Sequence, residues 1–206
     1  MIGLNECMSD LRPMLAGAAG EFTSLIRAIE GGHPDHLGNP TPCAEYDVRA
    51  LLNHLLYWGP WLDAALRRRP APEVTGGERD VDLMRGRWAD ELCGLVDDLV
   101  GSCAGPGALE GTTKFGGTEM PARAIAQMVL TEWVVHGWDL ARATGRSMRV
   151  DPATAQELYE ASLATAEQAR RMKVFGPEVS CPAEAPALER LLAVTGRDPG
   201  WRVRLW

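Results

Sequence analysis

The sequence predicts an all-α protein: a bundle of four long helices with additional helices towards the C-terminal end. Three observations carry that expectation. Apolar residues recur at helical spacing from one end of the chain to the other. Runs of β-branched and aromatic residues alternating with period two, the mark of strands, are missing from the pattern. Caps and stops, an Asp or Pro ahead of a segment and a Gly or Pro behind it, bracket the periodic segments.

Taken in order, the first helix is expected over residues 10–30, stopped by Gly31-Gly32. A loop with His33, Pro34, His36 and Pro40 follows. The second helix opens behind Asp47 as N-cap and carries Val48, Leu51, Leu52, Leu55, Leu62 and Leu66 on one stripe before Pro70 ends it. Residues 71–79 are rich in Pro and Gly and read as a loop. The third helix is expected over 80–100, and residues 101–117 as a Gly-rich connection. The fourth helix, the longest and most apolar, starts at Pro121 and runs to Thr144, where Gly145 stops it. A fifth opens at Asp151-Pro152, and a short sixth spans 186–194 ahead of a tail from Trp201 to Trp206. The expected organisation is one domain over 1–206, with its core at about 8–172 and a helical extension at about 173–206.

Composition excludes several classes. The 206 residues carry a formal net charge of −7, which argues against a nucleic-acid footprint, since that needs a concentrated basic surface. The one basic run, Arg67-Arg68-Arg69, sits at a helix end, where cations complement the macrodipole. Five cysteines (Cys7, Cys43, Cys93, Cys103, Cys181) without paired spacing fit neither a disulfide framework nor a thiolate zinc site. They read as reduced thiols of a cytoplasmic protein. The start Met1-Ile2-Gly3-Leu4-Asn5-Glu6 lacks a basic region followed by an apolar one, and no apolar run suits a membrane span.

On the fourth helix, Ile125, Met128, Val129, Leu140 and Ala143 form the apolar stripe, and Glu132 and His136 fall in its middle. Four residues apart, they share a face and can converge on one point. A carboxylate on a core face must be paired, protonated or bound to a cation. Two readings stand: a buried Glu–His pair, or two ligands of one metal ion. His54, on the second helix, is the candidate third ligand, because His33 and His36 lie in a loop; about 100° from the leucine stripe, it reads equally as a partly exposed histidine. Asp139 is either a partner that orients His136 or a surface aspartate. Arg142 is either a substrate-carboxylate binder or an i,i+3 partner of Asp139. Trp58 and Trp61 either wall a pocket or pack the helices.

Two blocks are more specific. The first runs from Thr41-Pro42-Cys43 through Tyr46-Asp47 to Asn53-His54, the second from Glu132-Trp133 through His136-Gly137-Trp138-Asp139 to Arg142-Ala143-Thr144-Gly145. Together they resemble the signature blocks of the DinB-like metal-binding superfamily, in its actinobacterial branch related to the N-terminal domain of mycothiol-dependent maleylpyruvate isomerase. The stretch Gly196-Arg197-Asp198-Pro199-Gly200-Trp201 resembles that branch too. The resemblance implies a DinB-like four-helix bundle and a metal triad of His54, Glu132 and His136 with a fourth position open for water or a thiol. Two histidines and one glutamate are also a ligand set of catalytic zinc. The longer isomerases carry a further C-terminal domain, and this chain is expected to be too short for a full copy.

The function expected from this resemblance is a thiol-dependent transferase or isomerase in which a metal-bound thiolate attacks an electrophilic carbon. The metal is a divalent ion, zinc first, with nickel and iron chemically acceptable; the thiol is of the mycothiol type; the other partner is a small electrophile. Neither nucleic acid nor membrane is an expected partner, and a homodimer is allowed without being required. Metal-dependent hydrolysis and a non-catalytic metal-binding or interaction role are the rival readings.

Overall fold

The computed structural model describes residues 9–203; the N-terminal stretch with Cys7, and Arg204-Leu205-Trp206 at the end of the tail, lie outside the described residues. The protein is mostly helical. Helix α1 (Leu11–Glu30) is capped by Asp10, whose carboxylate accepts from Arg12 N. Helix α2 (Val48–Leu66) is capped by Asp47, which accepts from Ala50 N at 2.7 Å. Helix α3 spans Trp88–Ala104, and α4 (Ala122–Thr131) continues through a π-helical turn (Glu132–His136) into α5 (Gly137–Ala143). Helix α6 (Pro152–Arg171) opens behind the Asp151 cap, and α7 spans Ala187–Val194. The loop after α1 contains a 3-10 turn, Pro34–Gly38.

Helix α3 packs on both α1 and α2, α4 packs on α1 and α2, and α6 pairs with α7 and meets α4. Their apolar faces share one core, with Phe22, Leu51, Leu52, Ile125, Leu130 and Leu140 fully buried. Among the described residues no helix is long and apolar enough to cross a membrane. Cys43, Cys93, Cys103 and Cys181 are free thiols.

Three expectations are corrected. The fold is not purely α: β1 (Thr112–Phe115) and β2 (Thr118–Pro121) form an antiparallel hairpin in the stretch read as a Gly-rich connection. Gly116 and Gly117 form its two-residue loop with φ of +56° and +83°, as the turns that match strand twist require. Because β2 runs to Pro121, that proline caps α4 rather than opening it. Thr113 anchors the hairpin on the end of α2 by donating to Ala65 O at 2.5 Å.

The third helix starts at Trp88, not at residue 80, because side chains capture the backbone ahead of it. Asn53 on α2 accepts from Leu83 N (2.7 Å) and donates to Glu78 O (3.2 Å) and Val81 O (3.0 Å). Asp82 accepts from Met84 N, and Asp80 from Gly77 N. Such bonds give the backbone partners other than a helical ladder. The fourth helix is likewise not a single α-helix, since the π turn interrupts it at Glu132–His136.

Replacing Asn53 by Ala removes three hydrogen bonds from the 78–83 segment, so unfolding free energy is expected to fall by about 2 kcal/mol. Denaturant titration measures the loss, and hydrogen exchange at Leu83 is expected to accelerate by more than at α3.

Candidate metal centre

Helix α2 and the π turn face each other across a half-buried cleft, and each supplies part of one cluster. His54 Nε2 lies 3.3 Å from Glu132 Oε2, and His136 Nε2 lies 3.5 Å from the same oxygen. The two imidazoles meet edge to face with centroids 5.2 Å apart. Side-chain exposures are 16% for His54, 12% for His136 and 27% for Glu132, so the cluster is half-buried with Glu132 its most exposed member. The local cause is the π turn: its i→i+5 bonding widens the helix at one turn, a rare feature frequent at functional sites. Trp133, Val134 and Val135 go into the core, with Trp133 stacked near Phe22, while Glu132 and His136 border the cleft.

Both rings are held from behind. His54 Nδ1 lies 3.2 Å from Glu78 Oε2 and 3.3 Å from the Tyr46 hydroxyl. Trp58 donates from Nε1 to Glu78 at 2.8 Å and so fixes that carboxylate. On the other side His136 Nδ1 lies 3.0 Å from Asp139 Oδ2. Asp139 is fully buried, and the buried Arg197 guanidinium donates to the same oxygen at 3.2 Å. A carboxylate on the far nitrogen fixes the tautomer that leaves Nε2 free to bind a cation.

The electrostatics agree with a cation-binding cluster. Burial works against a charged His54, but hydrogen bonds to Glu132 and Glu78 outweigh it and raise its pKa to about 9. Burial would raise the Glu132 pKa, yet the neighbouring imidazoles and Arg197 hold it at about 2. Glu78 is likewise held at about 2, by His54 and Trp58 against its own burial. The atoms that hold a proton here could hold a metal ion instead.

Among the described residues, two groups of three bring their ligand atoms within 4.8 Å of one another: His54, Glu132 and His136, and Cys43, His136 and Asp139. The second already has a cation beside it, because Arg197 donates to Asp139 and lies 3.5 Å from His136 Nδ1. Burial pushes the Cys43 thiol up to about 11, Arg197 offsetting only part of the rise, so the sulfur there stays protonated at neutral pH. The first group is the better cation site.

Arg142 stays outside the cluster: its guanidinium lies over the Trp138 ring, 5.4 Å from the centroid, and the partner expected for it, Asp139, is taken by Arg197. Trp58 joins the cluster through Glu78, whereas buried Trp61 Nε1 has no hydrogen-bond partner among the described residues and its ring packs on Trp58. Sequence reasoning assigned no role to Tyr46, Glu78, Cys43 or Arg197. Tyr46, Cys43 and Arg197 lie inside the stretches singled out for their resemblance; Glu78 had no signal, sitting in a loop read as a plain connection.

Arg197→Ala is expected to weaken divalent-metal affinity by roughly 10–100-fold through Asp139 and His136, the scale seen when outer contacts of a metal site are removed. Arg142→Ala is expected to leave it unchanged. Titration with zinc in the presence of a competing chelator, on variants with native circular dichroism, separates the two.

Comparison with known proteins completes the picture. Residues 15–141, which include all three members of the cluster, match the family described as the mycothiol maleylpyruvate isomerase N-terminal domain. An uncharacterized protein of Mycobacterium tuberculosis H37Rv is 32% identical over 196 residues, 87% of this chain and 93% of that protein. A protein of strain CDC 1551 of the same organism matches to the same extent. No solved structure matches the chain. The chain belongs to the mycothiol maleylpyruvate isomerase N-terminal domain family.

Proposed function

We propose that the protein binds one divalent metal ion, zinc first, through His54, Glu132 and His136, and acts as a thiol-dependent transferase or isomerase on a small electrophile, with a thiol of the mycothiol type. In this reading α1 to α4 are the DinB-like four-helix arrangement, and the segments beyond α6, from about residue 173 to 206, are its C-terminal helical extension. The observation that carries the proposal is the shared orientation of two histidines: both Nε2 atoms face Glu132 Oε2, and both Nδ1 atoms are backed by a carboxylate. A simple buried Glu–His pair accounts for one such ring and not for two. Two imidazoles and one carboxylate are a ligand set of catalytic zinc that keeps a position open.

When bound, the metal supplies one thing: it holds a thiol as thiolate near neutral pH, the nucleophile for an electrophilic carbon. The protein's residues do the rest. Glu78 and Asp139 keep the Nδ1 protons in place, Trp58 and Arg197 fix those carboxylates, and the partly exposed Glu132 side leaves room for the thiol. The family's description names maleylpyruvate, while the names of the two mycobacterial relatives state no substrate. The proposal is therefore a reaction class and not that substrate.

Elemental analysis of tag-free protein is expected to give about one metal per chain, lost in His54→Ala and Glu132→Ala, and the loaded protein is expected to consume mycothiol with members of an electrophile panel. Absence of metal even after reconstitution would overturn the site. A loaded protein that consumes no thiol would overturn the reaction class while keeping the site.

A further inference from the structure

The mechanism makes no use of the apolar space between α2 and α3. A small cavity of about 20 Å³ lies against Glu132, walled by Leu55, Trp58, Leu62, Leu92 and Trp133 among others, with Glu132 the one ionisable group in its lining. Such a volume holds about one water and no substrate. Outside it, between α2, α3 and the loop ahead of α3, lies a groove of about 540 Å³, within the range of small-molecule sites. Its lining includes Leu56, Tyr57, Val81 and Leu83, and its charged lining residues are Asp90, Glu91 and Asp98.

Leu95 lines both spaces. It can lie against α2 because residue 59 is glycine: a Cβ there would sit 2.1 Å from Leu95 Cδ2. Leu95 is thus the one residue common to both linings, a side chain with rotamers of its own resting on a bare stretch of helix backbone. The loop that walls the groove with Val74 and Val81 also carries Glu78, which holds His54. The groove and the cluster thus share a wall.

We propose that this groove binds an uncharged apolar arm of the electrophilic substrate, which passes Leu95 to bring its reactive end to Glu132. This rests on the metal-centre reading above. The chemistry of the lining selects the arm. Alkyl or aryl groups gain from burial on these side chains. An anionic group is disfavoured, because every charged residue of both linings is a carboxylate, and a buried unpaired charge is costly. Asp90 is paired with Arg27 and Arg87, and Asp98 with Arg67, which leaves exposed Glu91 as the one lining carboxylate without an ion pair among the described residues, away from the apolar lining that an uncharged arm would cover.

The test uses the metal-loaded full chain and the neutral dye Nile red, displaced by three probes of equal chain length: 1-octanol, octanoate and octylammonium. Octanol is expected to displace the dye, with octanoate at least about tenfold weaker. Gly94 lines the groove, and a Cβ there meets nothing within 4 Å, so a side chain can start from this position, and Gly94→Phe is the variant that occupies the groove. That variant is expected to lose dye binding and to keep its metal and its circular dichroism. Leu95→Ala is expected to tighten octanol binding and, with cobalt(II) in the metal site, to make the visible bands shift on octanol addition. Dye binding unchanged by Gly94→Phe, or octanoate matching octanol, overturns the proposal. Cobalt bands that do not respond to octanol in either wild type or Leu95→Ala overturn the passage to Glu132. Protein that takes up no metal but binds dye in the groove contradicts the metal-centre reading instead, so the two failures are distinguishable.

Discussion

The site depends on one constraint: a carboxylate on a core-facing helix turn that two imidazoles approach on the same oxygen. Glu132 cannot keep its charge in that position unless positive charge faces it. His54 and His136 supply that compensation when protonated, and would share it with a cation when one is bound. Everything around them acts to keep the two Nε2 atoms pointed at that oxygen. Glu78 and Asp139 stand behind the rings, and each is fixed in turn, Glu78 by Trp58 and Asp139 by Arg197.

The architecture follows from bringing these pieces together. Helix α2 must present His54 one residue after Asn53, and Asn53 ties down the loop that returns Glu78 to the other side of His54. The π turn sends three apolar residues inward and leaves its two polar ends on the cleft. Arg197 comes from beyond α7, whose end it caps onto the cluster by donating to Thr195 O as well as to Asp139. The C-terminal segment is thus part of the support of the His54–Glu132–His136 cluster.

Much of this was legible in the sequence, and the parts that were not have physical reasons. Caps at Asp47 and Asp151 placed two helix starts, because capping is a local interaction that sequence spacing reveals. Helical period put Glu132 and His136 on one face, although it could not reveal the π turn, whose extra width depends on packing around Trp133. The hairpin was missed although Gly116-Gly117 signals a two-residue turn, since its flanking strands are only four residues each. The start of α3 was misplaced because Asn53, about 30 positions earlier in the chain, decides it. Asp139 was identified beside His136 by local spacing, whereas its partner was given as Arg142 rather than Arg197, 58 residues away. Long-range partners of this kind leave no periodic trace.

The most direct test of the account is X-ray absorption at the zinc edge of the loaded protein, before and after addition of mycothiol. Two imidazoles and light oxygen or nitrogen scatterers, joined after addition by one sulfur at about 2.3 Å, are the predicted result. A spectrum without imidazole, or one in which no sulfur joins the shell, would contradict the claim that His54, Glu132 and His136 hold a metal open to a thiol.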